Sequence, residues 1–148
     1  MEKQRQTWIS HSVAETIERG RLIGKSLVPG MSVALVGELG SGKTVLVKGI
    51  ALGLGVARQN DVRSPTFVLF HMYQGRIPLY HFDFYRLNQT ADLEELGMYD
   101  YLSDPEAVSV VEWADRVPDI LNRADLRIRL SFSGEQCRTI EAARYGHS

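Results

Sequence analysis

Residues Gly37-Glu38-Leu39-Gly40-Ser41-Gly42-Lys43-Thr44 complete the pattern G-x-x-x-x-G-K-[ST], the Walker A phosphate-binding loop. In such a loop, backbone N–H groups point inward at an anion and the following helix adds its positive dipole end. Lys43 reaches the terminal phosphates, and the Thr44 hydroxyl can ligate Mg²⁺. The glycines let the backbone approach phosphate with no Cβ in the way. The flanks match the motif's requirement: an apolar run from Met31 to Val36 reads as a strand, and Val45 onward continues as a helix. This chemistry is the binding of a nucleoside triphosphate.

Binding alone needs only the loop; hydrolysis or transfer needs acids that hold the metal and organise the attacking group. Such acids belong at the C-terminal end of a neighbouring strand, where the crevice of an open α/β sheet lies. Two residues meet this test. Glu112 ends the apolar strand Val108–Val111, and Asp83 lies late in the strand that carries His81-Phe82-Asp83-Phe84-Tyr85-Arg86. Alternation puts His81, Asp83 and Tyr85 on one face and the aromatics Tyr80, Phe82 and Phe84 on the other. The plainer readings are an edge carboxylate for Asp83, a solvated strand end for Glu112 and a structural ring for His81. Trp113 reads as core or cleft wall, and Thr66, after a Ser-Pro turn, as an ordinary strand residue.

The elements that must position these groups alternate along the chain. Ser12-Val13-Ala14-Glu15 is a capping-box pattern opening a helix to about Leu27, stopped by Pro29-Gly30. The helix after the loop ends at Leu52-Gly53-Leu54-Gly55. Thr66–Tyr73 and Ile77–Tyr85 read as strands joined through Gln74-Gly75-Arg76, and a short helix runs from about Thr90 to Leu96. Asp104-Pro105-Glu106 looks like a helix start. Leu126–Phe132 and Arg138–Ala143 form an antiparallel hairpin. The expected fold is one α/β P-loop domain over residues 1–148, with a mixed, mainly parallel central sheet flanked by helices and a C-terminal antiparallel hairpin.

Composition narrows the function. With 148 residues the chain can build an ordinary core without a disulfide or metal staple. Its single cysteine, Cys137, fits a reducing cytoplasm. Met1–Gln6 are polar with no apolar run behind them, so a soluble, cytoplasmic protein is expected. A net charge of −1, from 17 basic and 18 acidic residues, supplies no field for direct, tight nucleic-acid binding. Arg127 and Arg129 alternate with Ile128 and Leu130 as the solvent face of a strand.

In order and spacing, the loop, then Ser64-Pro65-Thr66-Phe67, then His81-Phe82-Asp83-Phe84-Tyr85-Arg86-Leu87, then Glu112-Trp113 resemble the bacterial TsaE proteins over roughly Ser12 to Leu130. The resemblance implies an ATPase serving threonylcarbamoyladenosine modification of tRNA, working with TsaD and TsaB, which carry out the transfer. Contact with tRNA would be indirect at most. It further implies that Lys43 is the phosphate lysine, that Thr44 and Glu112 hold Mg²⁺, and that Asp83 assists hydrolysis of ATP; the attacking water would be oriented by Asp83 or by its neighbour His81. Thr66 would belong to a switch-like segment near the γ-phosphate, and Trp113 would be the aromatic beside the metal acid. Glu38 and Ser41 stand where Asp and Ala are common, and Ala114-Asp115 replace the usual residues after the Glu-Trp pair.

Three rival readings remain at this point. A small-molecule kinase uses the same loop, but no arginine-rich insert separates the strands, and Arg86 is the nearest lid residue. Asn122-Arg123-Ala124-Asp125 approaches the guanine-reading N-K-x-D motif without its strand-end context. A passive nucleotide sensor shares every motif.

Overall fold

The computed structural model describes residues 2–38, 40–56, 70–85, 87, 93 and 97–146. Its elements are β1 (Glu2–Ser10), α1 (Val13–Ser26), β2 (Ser32–Gly37), α2 (Lys43–Gly53), β3 (Phe70–Tyr73), β4 (Leu79–Asp83), α3 (Met98–Leu102), β5 (Val108–Glu112), a 3₁₀ turn (Ala114–Arg116), α4 (Pro118–Arg123), β6 (Leu126–Phe132) and β7 (Arg138–Tyr145). The strands form one seven-stranded sheet in the order β1-β7-β6-β2-β5-β4-β3. Its centre, β6-β2-β5-β4, is parallel. β3 adds antiparallel at one edge, and β7 with β1 at the other. The fold is therefore mixed α/β with a mainly parallel core, as expected.

The burial of each strand follows from its place. β5 is buried at all five residues, because helices cover both faces of a parallel centre. On one face Val33, Leu35, Leu79, Val108, Val110, Ile128 and Leu130 pack under α2. On the other, Ala34, Phe82, Phe84, Val111 and Val117 form a second core with Met98 and Leu93.

α1 and α2 meet backbone to backbone. A Cβ built on Gly20 or Gly24 would overlap the carbonyl oxygen of Leu46 or Ile50; one on Gly49 or Gly53 would overlap that of Ile17 or Arg21. Both helices carry a G-x-x-x-G spacing, so the small residues fall on one face and admit the close approach. The N-terminus of α1 is capped by the Ser12 hydroxyl, which accepts from the Glu15 N–H at 3.0 Å. This contact seats the helix that carries Lys43 and Thr44.

Several local expectations change. Glu2–Ser10, whose first residues read only as polar, with no element over them, is an edge strand whose backbone pairs with β7. Asp104-Pro105 does not open a helix: the Asp104 carboxylate accepts from the Glu106 N–H at 2.9 Å in a tight turn. The helix lies before it, as α3, where a short aromatic segment carries little period. α4, with Pro118 in its first turn, was also unread. The helix expected over Thr90–Leu96 and the first half of the strand expected from Thr66 lie outside the described residues. Among the described residues, no helix is long and apolar enough to cross a membrane.

Candidate functional site

On the face covered by α2, the strands change from apolar to ionisable at their C-terminal ends. Leu79 is followed by His81 and Asp83, and Val108 by Val110 and Glu112, at successive same-face positions. β4 and β5 pair in parallel with Asp83 opposite Glu112, so two carboxylates share the last row of the sheet. Both are buried, at 2% and 3% exposure. β2 lies on the other side of β5, and its end runs into the phosphate loop.

The loop has the backbone that the motif demands. Gly40 and Gly42 take φ of 78° and 101°, a left-handed region that side chains resist. Gly42 caps α2, so the loop amides and the helix start turn the same way. The Lys43 ammonium is folded back, donating to the carbonyls of Gly37 at 2.6 Å and Glu38 at 2.8 Å. It also lies 4.2 Å from the centre of the Trp113 ring. Burial pushes its pKa below the ordinary lysine value, opposed by the charges of Glu112, Asp83 and Asp115. The Ser41 hydroxyl is fully buried and finds no partner among the described residues.

The Thr44 hydroxyl donates to Glu112, 3.1 Å from Oε1 and 3.3 Å from Oε2. The Walker A hydroxyl and the strand-end acid thus meet, although 68 residues separate them. Their hard oxygen donors suit Mg²⁺, which takes one or two carboxylates and completes its shell from water and phosphate. No group of three or more His, Cys, Asp or Glu among the described residues forms a cage that would hold a metal alone. A divalent ion here fits as a companion of bound phosphate, with Ser41 and the loop amides as further polar contacts. Asp83 accepts the Tyr85 N–H at 2.8 Å, which turns the chain at the end of β4.

Trp113 is the one non-glycine residue with positive φ among the described residues, at 58°. That conformation costs about 1–2 kcal/mol. It swings the indole over Lys43 and against Tyr85, whose ring centre lies 4.9 Å away. Arg116 lies over the same two rings, 5.4 Å from Tyr85 and 5.7 Å from Trp113. Neither Tyr85 nor Arg116 was a site residue on sequence grounds; alternation, which set Tyr85 on the face of His81 and Asp83, is the one signal that pointed to Tyr85.

Of the residues expected at the site, Gly37, Glu38, Gly40, Ser41, Gly42, Lys43, Thr44, Asp83, Glu112 and Trp113 converge. Leu39, Thr66 with its Ser-Pro turn, and Arg86 lie outside the described residues. The guanine-motif reading of Asn122–Asp125 fails on position. Asp125 accepts from the Ser32 N–H at 2.9 Å, at the start of β2, whereas the phosphate loop follows its end.

The family model described as "Threonylcarbamoyl adenosine biosynthesis protein TsaE" matches residues 10–140. The chain belongs to the TsaE family. It is 38% identical to the tRNA threonylcarbamoyladenosine biosynthesis protein TsaE of Treponema pallidum, over 91% of this chain and 98% of that one. It is 36% identical to the Bacillus subtilis protein of the same name, over 95% and 86% of the two chains. The crystal structure of Bacillus subtilis YdiB superimposes with a TM-score of 0.78 at 31% identity, covering 99% of this chain and 88% of that one. TsaE relatives are thus named for tRNA threonylcarbamoyladenosine biosynthesis, and this TsaE chain shares their sequence and architecture over nearly its whole length.

Proposed function

We propose that this TsaE chain binds ATP with Mg²⁺ and hydrolyses it to ADP and phosphate in support of threonylcarbamoyladenosine modification of tRNA, acting with TsaB and TsaD. One observation carries the reading: Thr44 of the phosphate loop lies within hydrogen-bond distance of Glu112, beside a buried Lys43. Polyphosphate would occupy the loop, and Lys43 would exchange its carbonyl partners for phosphate oxygens. Thr44 and Glu112 would hold the metal, which when bound supplies positive charge to the phosphate oxygens. Asp83, in the same row as Glu112, is the group that would orient water for in-line attack on the γ-phosphorus. Trp113 would wall the lysine from solvent.

The test is Mg²⁺-dependent ATP hydrolysis by the purified chain, alone and with TsaB, TsaD and tRNA. Slow turnover alone, a rise with partners and its loss in Lys43→Ala are the expected results. A Lys43→Ala chain that still hydrolyses ATP overturns the assignment. A phosphorylated small molecule as product would favour a kinase, and bound nucleotide with no turnover a passive sensor.

A further inference from the structure

His81 is fully buried, and its Nε2 lies 2.5 Å from Oε2 of Glu112. It sits in the row beneath the carboxylates: in the β4–β5 register His81 pairs with Val110, and Asp83 with Glu112. The ring therefore stands between the last apolar row, Leu79 and Val108, and the two acids. Its committed nitrogen points along the sheet to Glu112. Its other nitrogen, Nδ1, is buried and has no partner among the described residues. A group that orients water must offer a polar atom that water can reach, and both nitrogens of this imidazole are buried, one of them held by Glu112.

Glu112 needs such a support. A glutamate at a strand end turns about three side-chain bonds, and holding it in one rotamer costs side-chain entropy. An N–H that fixes Oε2 holds the carboxylate plane while Oε1, 3.1 Å from the Thr44 hydroxyl, faces the loop. Groups behind a metal-binding residue commonly set its orientation, and their removal costs about 10–100-fold in metal affinity.

We propose that His81 is the positioning residue for Glu112, setting the affinity of the nucleotide site for Mg²⁺ without touching the metal, phosphate or water. The proposal rests on the function proposed above, and its test separates the two. Binding of a fluorescent ATP analogue is titrated with Mg²⁺ and repeated in EDTA, for the wild type and for His81→Leu, His81→Gln and His81→Asn. Glutamine carries an N–H at about the reach of Nε2; asparagine carries one too short to meet Glu112. The expected result is a rise of about tenfold in the Mg²⁺ needed for half-maximal binding in the leucine and asparagine variants. Glutamine should stay close to wild type, and affinity in EDTA should be unchanged throughout. Should leucine not fold, the glutamine–asparagine pair decides. A folded asparagine or leucine variant with the wild-type Mg²⁺ requirement overturns the proposal, as does glutamine failing alongside asparagine. Wild-type binding that ignores Mg²⁺ overturns the metal assignment itself, and this proposal with it.

Discussion

The two ends of α2 are held by opposite kinds of contact. Along its length Gly49 and Gly53 lie on the backbone of α1, where there is no room for one carbon. At its start, Lys43 and Thr44 touch carbonyls, a carboxylate and an indole face, contacts that a ligand can replace. The first region is exact because close-packed interiors tolerate little added volume. The second is only part-buried, and it places one cation under the charges of three carboxylates and leaves Ser41 without a partner among the described residues. The difference teaches that the rigid half of the helix is what lets the charged half present exchangeable groups at fixed positions. Stability and function should therefore separate along one helix.

The largest effect should come from filling the packed region. Gly49→Ala drives a Cβ into the Ile17 carbonyl and should cost about 3 kcal/mol or more in urea unfolding. Gly40→Ala meets nothing within 4 Å among the described residues and should lose only about 1–2 kcal/mol, from its positive φ. Equal losses at the two positions would break the contrast.

At the charged end the loss should fall on rate instead. Asp83→Asn keeps the shape of the side chain and should slow ATP hydrolysis by about 10²-fold or more, with little change in the unfolding midpoint. A variant that hydrolyses normally would return Asp83 to a turn-forming role through the Tyr85 N–H.

A smaller, spectroscopic effect would show that the lysine moves. In a Trp8→Phe background, Trp113 is the remaining tryptophan of the two. Its emission should change when Mg²⁺ and ATP draw Lys43 off the ring, and should not change in Lys43→Ala. Emission indifferent to nucleotide would mean that Lys43 keeps its present contacts.

The smallest effect lies far from both regions. Asp104 accepts from the Glu106 N–H at 2.9 Å and, with the smaller effect, from the Tyr80 hydroxyl at 2.7 Å, and these bonds hold its pKa below the ordinary 3.8. A carboxyl with a lowered folded pKa contributes stability above its unfolded value, and this is lost as pH falls through the folded one. Tyr80→Phe should raise the folded value part way, so that stability falls less steeply below about pH 4. An unchanged acid limb in denaturation from pH 2 to 7 would remove Asp104 from the balance.

The sequence by itself carried the whole Walker A pattern, because its eight residues are adjacent, and the described glycines Gly40 and Gly42 take the positive φ it calls for. It also put Glu112 at the end of its strand, since an apolar run is a local signal, but carried the Asp83 strand on to Tyr85, whereas β4 stops at Asp83 itself. It left β1 unread: an edge strand whose first residues are exposed owes its form to backbone pairing with β7, about 130 residues away, and needs no apolar pattern there. The double G-x-x-x-G went unread, because its meaning depends on two helices meeting. His81 shows the limit most plainly. Its type and face were legible, but whether it served water or Glu112 depended on the register of β4 against β5. Register is a property of paired strands, and the tertiary structure alone decides it.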